Sequence, residues 1–157
     1  MPMDTSEFGV FLEKYHLALA EIINGRPELY QSLCSLRDDV TLANPFAPFG
    51  PVSRGSAQVS ETIARAASNY VEGEVMGFDT VTLCLTAELG YLVEVERFEA
   101  TVKGRDERSS LALRVTTIVR REHSDWKVVH RHADPITAPR SAASILLDDE
   151  SQKGRPR

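Results

Sequence analysis

No apolar run in this 157-residue chain approaches the roughly 20 residues that a membrane-spanning helix needs. No block of Lys and Arg with interleaved aromatics is present either. The net charge is −5, which disfavours attraction to nucleic-acid phosphates or anionic lipid, so neither nucleic acid nor membrane is expected as a partner. Cysteine is scarce. Cys34 and Cys84 lie far apart without a metal or redox spacing, and two buried, reduced thiols in a cytoplasmic protein are the expectation. A Gly-rich phosphate loop, a nucleophile elbow and a Cys/His pairing are all missing, and no cofactor is expected. Met1-Pro2-Met3-Asp4 offers neither a basic start nor an apolar stretch, so no secretory leader is expected.

What is present is an ordinary globular composition, 42% hydrophobic and 26% charged, sufficient for one domain with a core. Residues 6–24 carry Phe8, Phe11, Leu12, Tyr15, Leu19, Ile22 and Ile23 at offsets of three and four, the trace of one helical face. Asn24-Gly25 supplies a stop, and Pro27 suits the first turn of a second, short helix. Val40–Ala43 reads as a short strand. The proline-rich run Asn44–Pro51 reads as a stiff loop exposing Phe46 and Phe49, side chains of the kind that lid a pocket or plug a core. Gly55–Gly73 reads as a third helix, with Val59, Ile63, Ala66, Ala67 and Tyr70 on its apolar side.

Beyond Gly73 the helical period disappears. Four long strands are predicted at about 75–87, 91–102, 108–121 and 126–134, separated by turn chemistry. Helices first and a strand meander second predicts an α+β domain over residues 1–135, its three helices packed on a curved antiparallel sheet. Residues 136–157 read as a mostly flexible tail, in which only Ile145, Leu146 and Leu147 offer anything to bury.

The turns suggest a register. A five-residue loop at Lys103–Glu107 sets Glu96 opposite Arg114 and Glu94 opposite Thr116, and the next hairpin sets Arg131 opposite Thr116. One face then collects Glu94, Glu96, Arg114, Thr116 and Arg131. The other collects Tyr91, Val93, Val95, Val115, Thr117, Val119, Val128, His130 and His132. Directly opposed charges stabilise a strand pair by roughly 0.2–1 kcal/mol, which favours this register. Two meanings stay open for the charged face: a solvated ion-pair network, or the lining of a pocket whose buried charges are paired or ligand-bound. His130, His132 and Asp134 alternate as metal ligands can, but no third strong ligand is identifiable, and packed or interfacial histidines serve equally well. His16 is expected at the surface and His123 in a turn. Trp126 is expected to be a packing residue.

The long first helix ending in Asn24-Gly25, followed by Asp38-Asp39-Val40-Thr41-Leu42, is similar to the opening of ketosteroid-isomerase-like proteins. The closing Trp126-Lys127-Val128-Val129-His130-Arg131-His132 resembles the last strand of SnoaL-like proteins and of the calcium/calmodulin-dependent kinase association domain. All belong to the nuclear-transport-factor-2-like (NTF2-like) superfamily. The resemblance spans residues 6–134. It implies a cone-shaped, cystatin-like roll with a pocket in the cone and a homodimer formed through the sheet. In the kinase association domain, arginines of the last two strands enter that pocket; by position Thr116 and Ala133 match two of them, and Arg114 and Arg131 share their expected faces. The ketosteroid isomerase comparison fails at a definite place. The position of the catalytic carboxylate is Asn44, and an amide cannot accept the proton, so that activity is not expected. The tyrosine position falls at Leu19, one turn beyond Tyr15.

The reading that emerges is a SnoaL-like small-molecule-binding protein. Tyr15, Asn44, Glu96, Arg114 and Arg131 would line the pocket, and the arginines favour a carboxylate or polarised carbonyl. An enzymatic version would perform cyclisation, isomerisation or dehydration with Glu96 as base. The competing reading is a noncatalytic dimerisation or assembly module acting through the Val- and His-bearing sheet face.

Overall fold

The computed structural model describes residues 5–146. Helix α1 (Thr5–Ile22) buries Phe8, Phe11, Tyr15, Ala18 and Leu19, the stripe that the helical spacing predicts. Gly25, at a positive φ of 81°, turns the chain after it, and its N–H reaches the Ile22 carbonyl. The Asn24 side chain bonds both the N–H and the carbonyl of Gly73. A Cβ at Gly73 would lie 2.3 Å from the Ile23 carbonyl oxygen, so only glycine allows this approach. Helices α2 (Glu28–Leu33) and α3 (Ser56–Ala67) complete the layer that the sheet wraps.

Six strands form one mixed sheet in the order β2-β1-β6-β5-β4-β3. Four are long: β3 (Tyr70–Leu85), β4 (Leu89–Val102), β5 (Arg108–Glu122) and β6 (Asp125–Pro135). Two are short: β1 (Thr41–Ala43) and β2 (Ser53–Arg54). The four long strands pair antiparallel as expected, and the short β1 adds a parallel pairing to β6. The proline-rich run Asn44–Pro51 is a loop as expected, and Ser53–Arg54 just beyond it pairs with β1 as β2. Helix α3 is shorter than its spacing suggested, and Tyr70 begins β3. Irregularities at Val71/Glu74, Val75/Gly77 and Thr80/Thr82 interrupt the β3 ladder, and such bulges bend and twist a strand.

The register differs from the sequence expectation by one residue. Glu96 pairs with Leu113, Val95 with Arg114 and Glu94 with Val115. The loop therefore holds the six residues Val102–Glu107, and every side chain of β5 changes face relative to β4. The physical reason is a comparison of magnitudes. Burying a Val or Leu side chain contributes about 1.5–3 kcal/mol, against roughly 0.2–1 kcal/mol for an opposed charge pair. The observed register buries Val115, Thr117 and Val119 and turns Arg114 and Thr116 outward. A further shift between Ile118 and Val119 then sets Thr117, not Thr116, opposite Arg131.

Cys34 is buried, but Cys84 is exposed, contrary to expectation. Trp126 is buried edge-on against Phe8. In the tail, Ala142–Ile145 forms one 3-10 turn with Ile145 and Leu146 exposed. Residues 147–157 of the expected tail, and Met1–Asp4, lie outside the described residues. Among the described residues no helix is long and apolar enough to cross a membrane.

A buried acid ties the ends of β5 and β6 to the segment before β1. The Glu122 carboxylate accepts from Ser35 at 2.8 Å and from Arg120 at 2.6 Å, and Arg120 also reaches Asp39. Burial pushes the Glu122 carboxyl up, but the Arg120 and Ser35 hydrogen bonds outweigh it and leave it below the ordinary range. A lowered folded pKa stabilises the fold fully above the unfolded value near ~4.3, and that contribution is lost as pH falls through the folded value. Urea titrations should therefore show Glu122→Gln markedly less stable than wild type at pH 7, with the gap narrowing toward pH 3. An equal gap at both pH values would contradict this role.

Candidate ligand cavity

A cavity of about 330 Å³ opens between the helices and the concave face of the sheet. That volume lies at the lower end of the range for small-molecule sites. Leu19, Ile22 and Ile23 of α1, Ile63 and Ala66 of α3, and Phe98, Leu111, Leu113 and Ala133 of the sheet give it apolar walls. Asn44, Pro45 and Phe46 form part of its rim with Tyr70, whose ring meets Phe46 edge-on. The polar lining consists of Tyr30, Asn44, Tyr70, Glu96 and Arg131, and among the described residues only Glu96 and Arg131 carry charge.

Those two charges satisfy one another. Arg131 Nη1 and Nη2 donate to the two Glu96 oxygens, each at 2.7 Å, in a two-point pair buried at both ends. Nη1 also donates to the Tyr15 hydroxyl at 2.8 Å, and that hydroxyl shares a 2.7 Å hydrogen bond with Thr117. Burial works against the Arg131 charge, but the adjacent Glu96 outweighs it and holds the guanidinium pKa well above its ordinary value. Burial likewise pushes the Tyr15 hydroxyl up to about 12, so it stays protonated. Tyr15 stands behind the cavity wall, where it braces Arg131.

A second buried carboxylate was not recognised as paired. Glu94 accepts from His16 Nε2 at 2.9 and 3.1 Å, and the imidazole stacks flat on Phe78 at 3.9 Å. His16 is therefore half-buried, not the surface residue expected. The signal lay in the alternation itself: Glu94 shares a face with Glu96, and a buried acid needs a donor. Helix α1 supplies His16 immediately after Tyr15.

Of the residues nominated from sequence, the cavity lining contains Asn44, Glu96 and Arg131, with Tyr15 one layer behind. Arg114 is not among them. The one-residue register shift puts it on the outer face, where its side chain is 65% exposed and paired with Asp134. Phe46 reaches the cavity, and Phe49 does not line it. His130 and His132 share the outer face, and Thr41 Oγ1 lies 2.7 Å from His130 Nδ1. Burial, then His132, lowers the His130 pKa. Among the described residues no group of three His, Cys, Asp or Glu side chains is placed to hold a metal. The sequence reading missed Tyr30, which lines the cavity and whose enclosed hydroxyl has no hydrogen-bond partner among the described residues.

No protein-family model matches the chain, and no curated protein sequence does either. Solved structures do match. A protein from Streptomyces avermitilis, provisionally named a dehydratase of the NTF2-like family, superposes with a TM-score of 0.68 at 19% identity, over 86% of this chain and 98% of that one. An NTF2-like superfamily protein from Salmonella enterica gives 0.70 at 12% identity, over 88% and 96%. A ketosteroid isomerase-like protein from Erwinia carotovora gives 0.69 at 12% identity, over 87% and 99%. At these identities the likeness is one of fold, and the fold is the one that the first helix and last strand suggested.

Proposed function

We propose that this NTF2-like-fold protein binds a neutral, largely apolar small molecule with one carbonyl- or hydroxyl-bearing end, held in the cavity between helices and sheet. The observation that carries the reading is the Glu96–Arg131 pair. With the two charges of the lining matched to each other, an entering carboxylate would meet apolar walls and no spare cation, and burying an unpaired charge is costly. The carboxylate half of the sequence expectation is thereby set aside, and the carbonyl half is kept. Binding has more support than catalysis. Both Glu96 oxygens are held by Arg131, so a cyclase, isomerase or dehydratase reaction using Glu96 as base would first have to release it. The names of the structural neighbours are compatible with either.

Thermal unfolding with two probes of the same ring system tests this. Saturating 2-acetonaphthone, at about 100 times its dissociation constant, should stabilise the protein by about 2.7 kcal/mol. For a chain of this size that raises the midpoint by about 5–10 °C. 2-Naphthoate should give little or no shift, and an equal or larger response to it would refute the neutral-ligand reading. The same samples in native mass spectrometry report the dimer expected from sequence. Silence to both probes together with a tight dimer would transfer the function to the outer sheet face, where Tyr91, Val93, Val95 and Ile118 stand, as an assembly surface.

A further inference from the structure

We infer that Ile63 fixes the length of molecule this cavity accepts, by walling it off from a second hollow, so that the ligand is a compact ring compound and not one carrying a long alkyl chain. The inference rests on the cavity reading above and narrows it. The second hollow, of about 340 Å³, lies between α2 and α3. Among the described residues, Ile63 is the one residue that lines both spaces. Helical geometry explains why. Residues three and four apart share a face, and one face of α3 carries Ser56, Val59, Ser60, Ile63 and Ala66 in succession. Ser56, Val59 and Ser60 line the hollow, Ala66 lines the cavity, and Ile63 lines both. Helix α2 repeats the arrangement: Tyr30 lines the cavity, and Cys34, one turn later, lines the hollow. The two spaces therefore follow one another along the same pair of helices, with Ile63 at their junction.

Ile63 is suited to be a fixed wall. It is 3% exposed and belongs to the same buried core as Leu33, Leu42 and Val59. An isoleucine within a helix holds a single χ1 rotamer about 90% of the time, because its branched Cβ crowds the preceding turn. It therefore does not swing aside as an unbranched side chain would. The helices on either side are tied as well: Gln31 Nε2 donates to the Ser60 carbonyl at 2.9 Å, which links α2 to α3. Behind Ile63, the hollow is lined by Cys34 and Val59, both buried and uncharged, so an alkyl chain admitted there would find apolar surroundings. Chain length is thus decided at one side chain. Each methylene that finds apolar room adds about fourfold to affinity. One that meets Ile63 adds nothing, because overpacking cancels the gain.

Isothermal titration of straight-chain methyl ketones, from 2-pentanone to 2-dodecanone, alongside 2-acetonaphthone, into wild type and Ile63→Ala tests this. In wild type the affinity should rise about fourfold per methylene and then stop rising at a definite chain length. In Ile63→Ala the rise should continue for about three further methylenes, the size of the hydrocarbon removed, which is a gain of about 60-fold for the longer ketones. 2-Acetonaphthone, the compact probe, should gain nothing. A break at the same length in both proteins, or a wild-type series without a break, overturns the inference and leaves the cavity reading standing, with the chain running out past Phe46 and Tyr70. An equal gain for 2-acetonaphthone also overturns it, since the truncation would then have loosened the cavity as a whole. Should Ile63→Ala fail to fold, Ile63→Val decides: the break should move by about one methylene, and an unmoved break overturns the inference. Failure of wild type to bind any of these compounds removes the cavity reading and this inference together.

Discussion

Replacing Arg131 with methionine should destabilise the protein by about 3–5 kcal/mol, the loss typical when one partner of a buried ion pair is removed. At about 2–4 °C per kcal/mol, the unfolding midpoint falls by roughly 6–20 °C. The magnitude follows from what the substitution leaves behind. Glu96 is fully buried, and among the described residues its two hydrogen bonds both come from Arg131. Tyr15 loses the same donor but keeps Thr117. Removing both charges is a different experiment. In Arg131→Met/Glu96→Leu no charge is stranded, and replacing a buried pair with apolar side chains is often neutral or stabilising. Most of the lost stability should therefore return in the double variant. Arg114→Met supplies the contrast, because its bond to Asp134 is exposed to water; its midpoint should stay near that of wild type. Denaturant unfolding of the four proteins checks this. Equal losses in the Arg131→Met and double variants would show that Arg131 matters through packing and not through its charge.

The same residues show what could be read from the sequence and what could not. The stripe from Phe8 to Ile23, the Asn24-Gly25 stop and the closing strand were legible because helix and strand periods are local properties of the chain. The register was not local. It depended on whether the hairpin loop held five residues or six, and the polar sequence around Lys103–Glu107 is compatible with both. The Glu96–Arg114 pairing looked like positive support for one choice, yet its worth is small beside the burial of Val115 and Val119. Burial patterns carry more weight than charge matches when a register is assigned.

Arg131 reached the inner face in the sequence reading through two displacements that cancel. The slip between β4 and β5 turned β5 over, and the irregularity between Ile118 and Val119 restored the phase of β6 relative to β4. Glu96 and Arg131 therefore share a face in the structure as they did in the expected register, while Arg114 between them does not. β2 was unreadable for another reason: two residues, Ser53 and Arg54, are too few to show alternation. That the Tyr30 hydroxyl lacks a partner among the described residues was likewise invisible, since sequence shows which side chains are polar but not how they are paired.

Ala133→Phe should abolish the response to 2-acetonaphthone. Ala133 is buried on β6, opposite Val115, and lines the cavity from the sheet side, two residues from Arg131. A phenyl ring there would occupy the space in which the apolar part of a ligand must lie. Two effects of opposite sign act on the ligand-free protein. Filling an apolar void commonly gains about 0.5–2 kcal/mol, whereas forcing a ring into a packed core costs about 1–3 kcal/mol. A cavity of about 330 Å³ favours the first, so the ligand-free midpoint should hold or rise while the ketone-induced shift of about 5–10 °C disappears. Loss of the shift together with a lower starting midpoint would mean only that the fold was damaged. A retained shift in a variant of undiminished stability would place the ketone elsewhere on the molecule, because a filled cavity cannot also hold two fused rings.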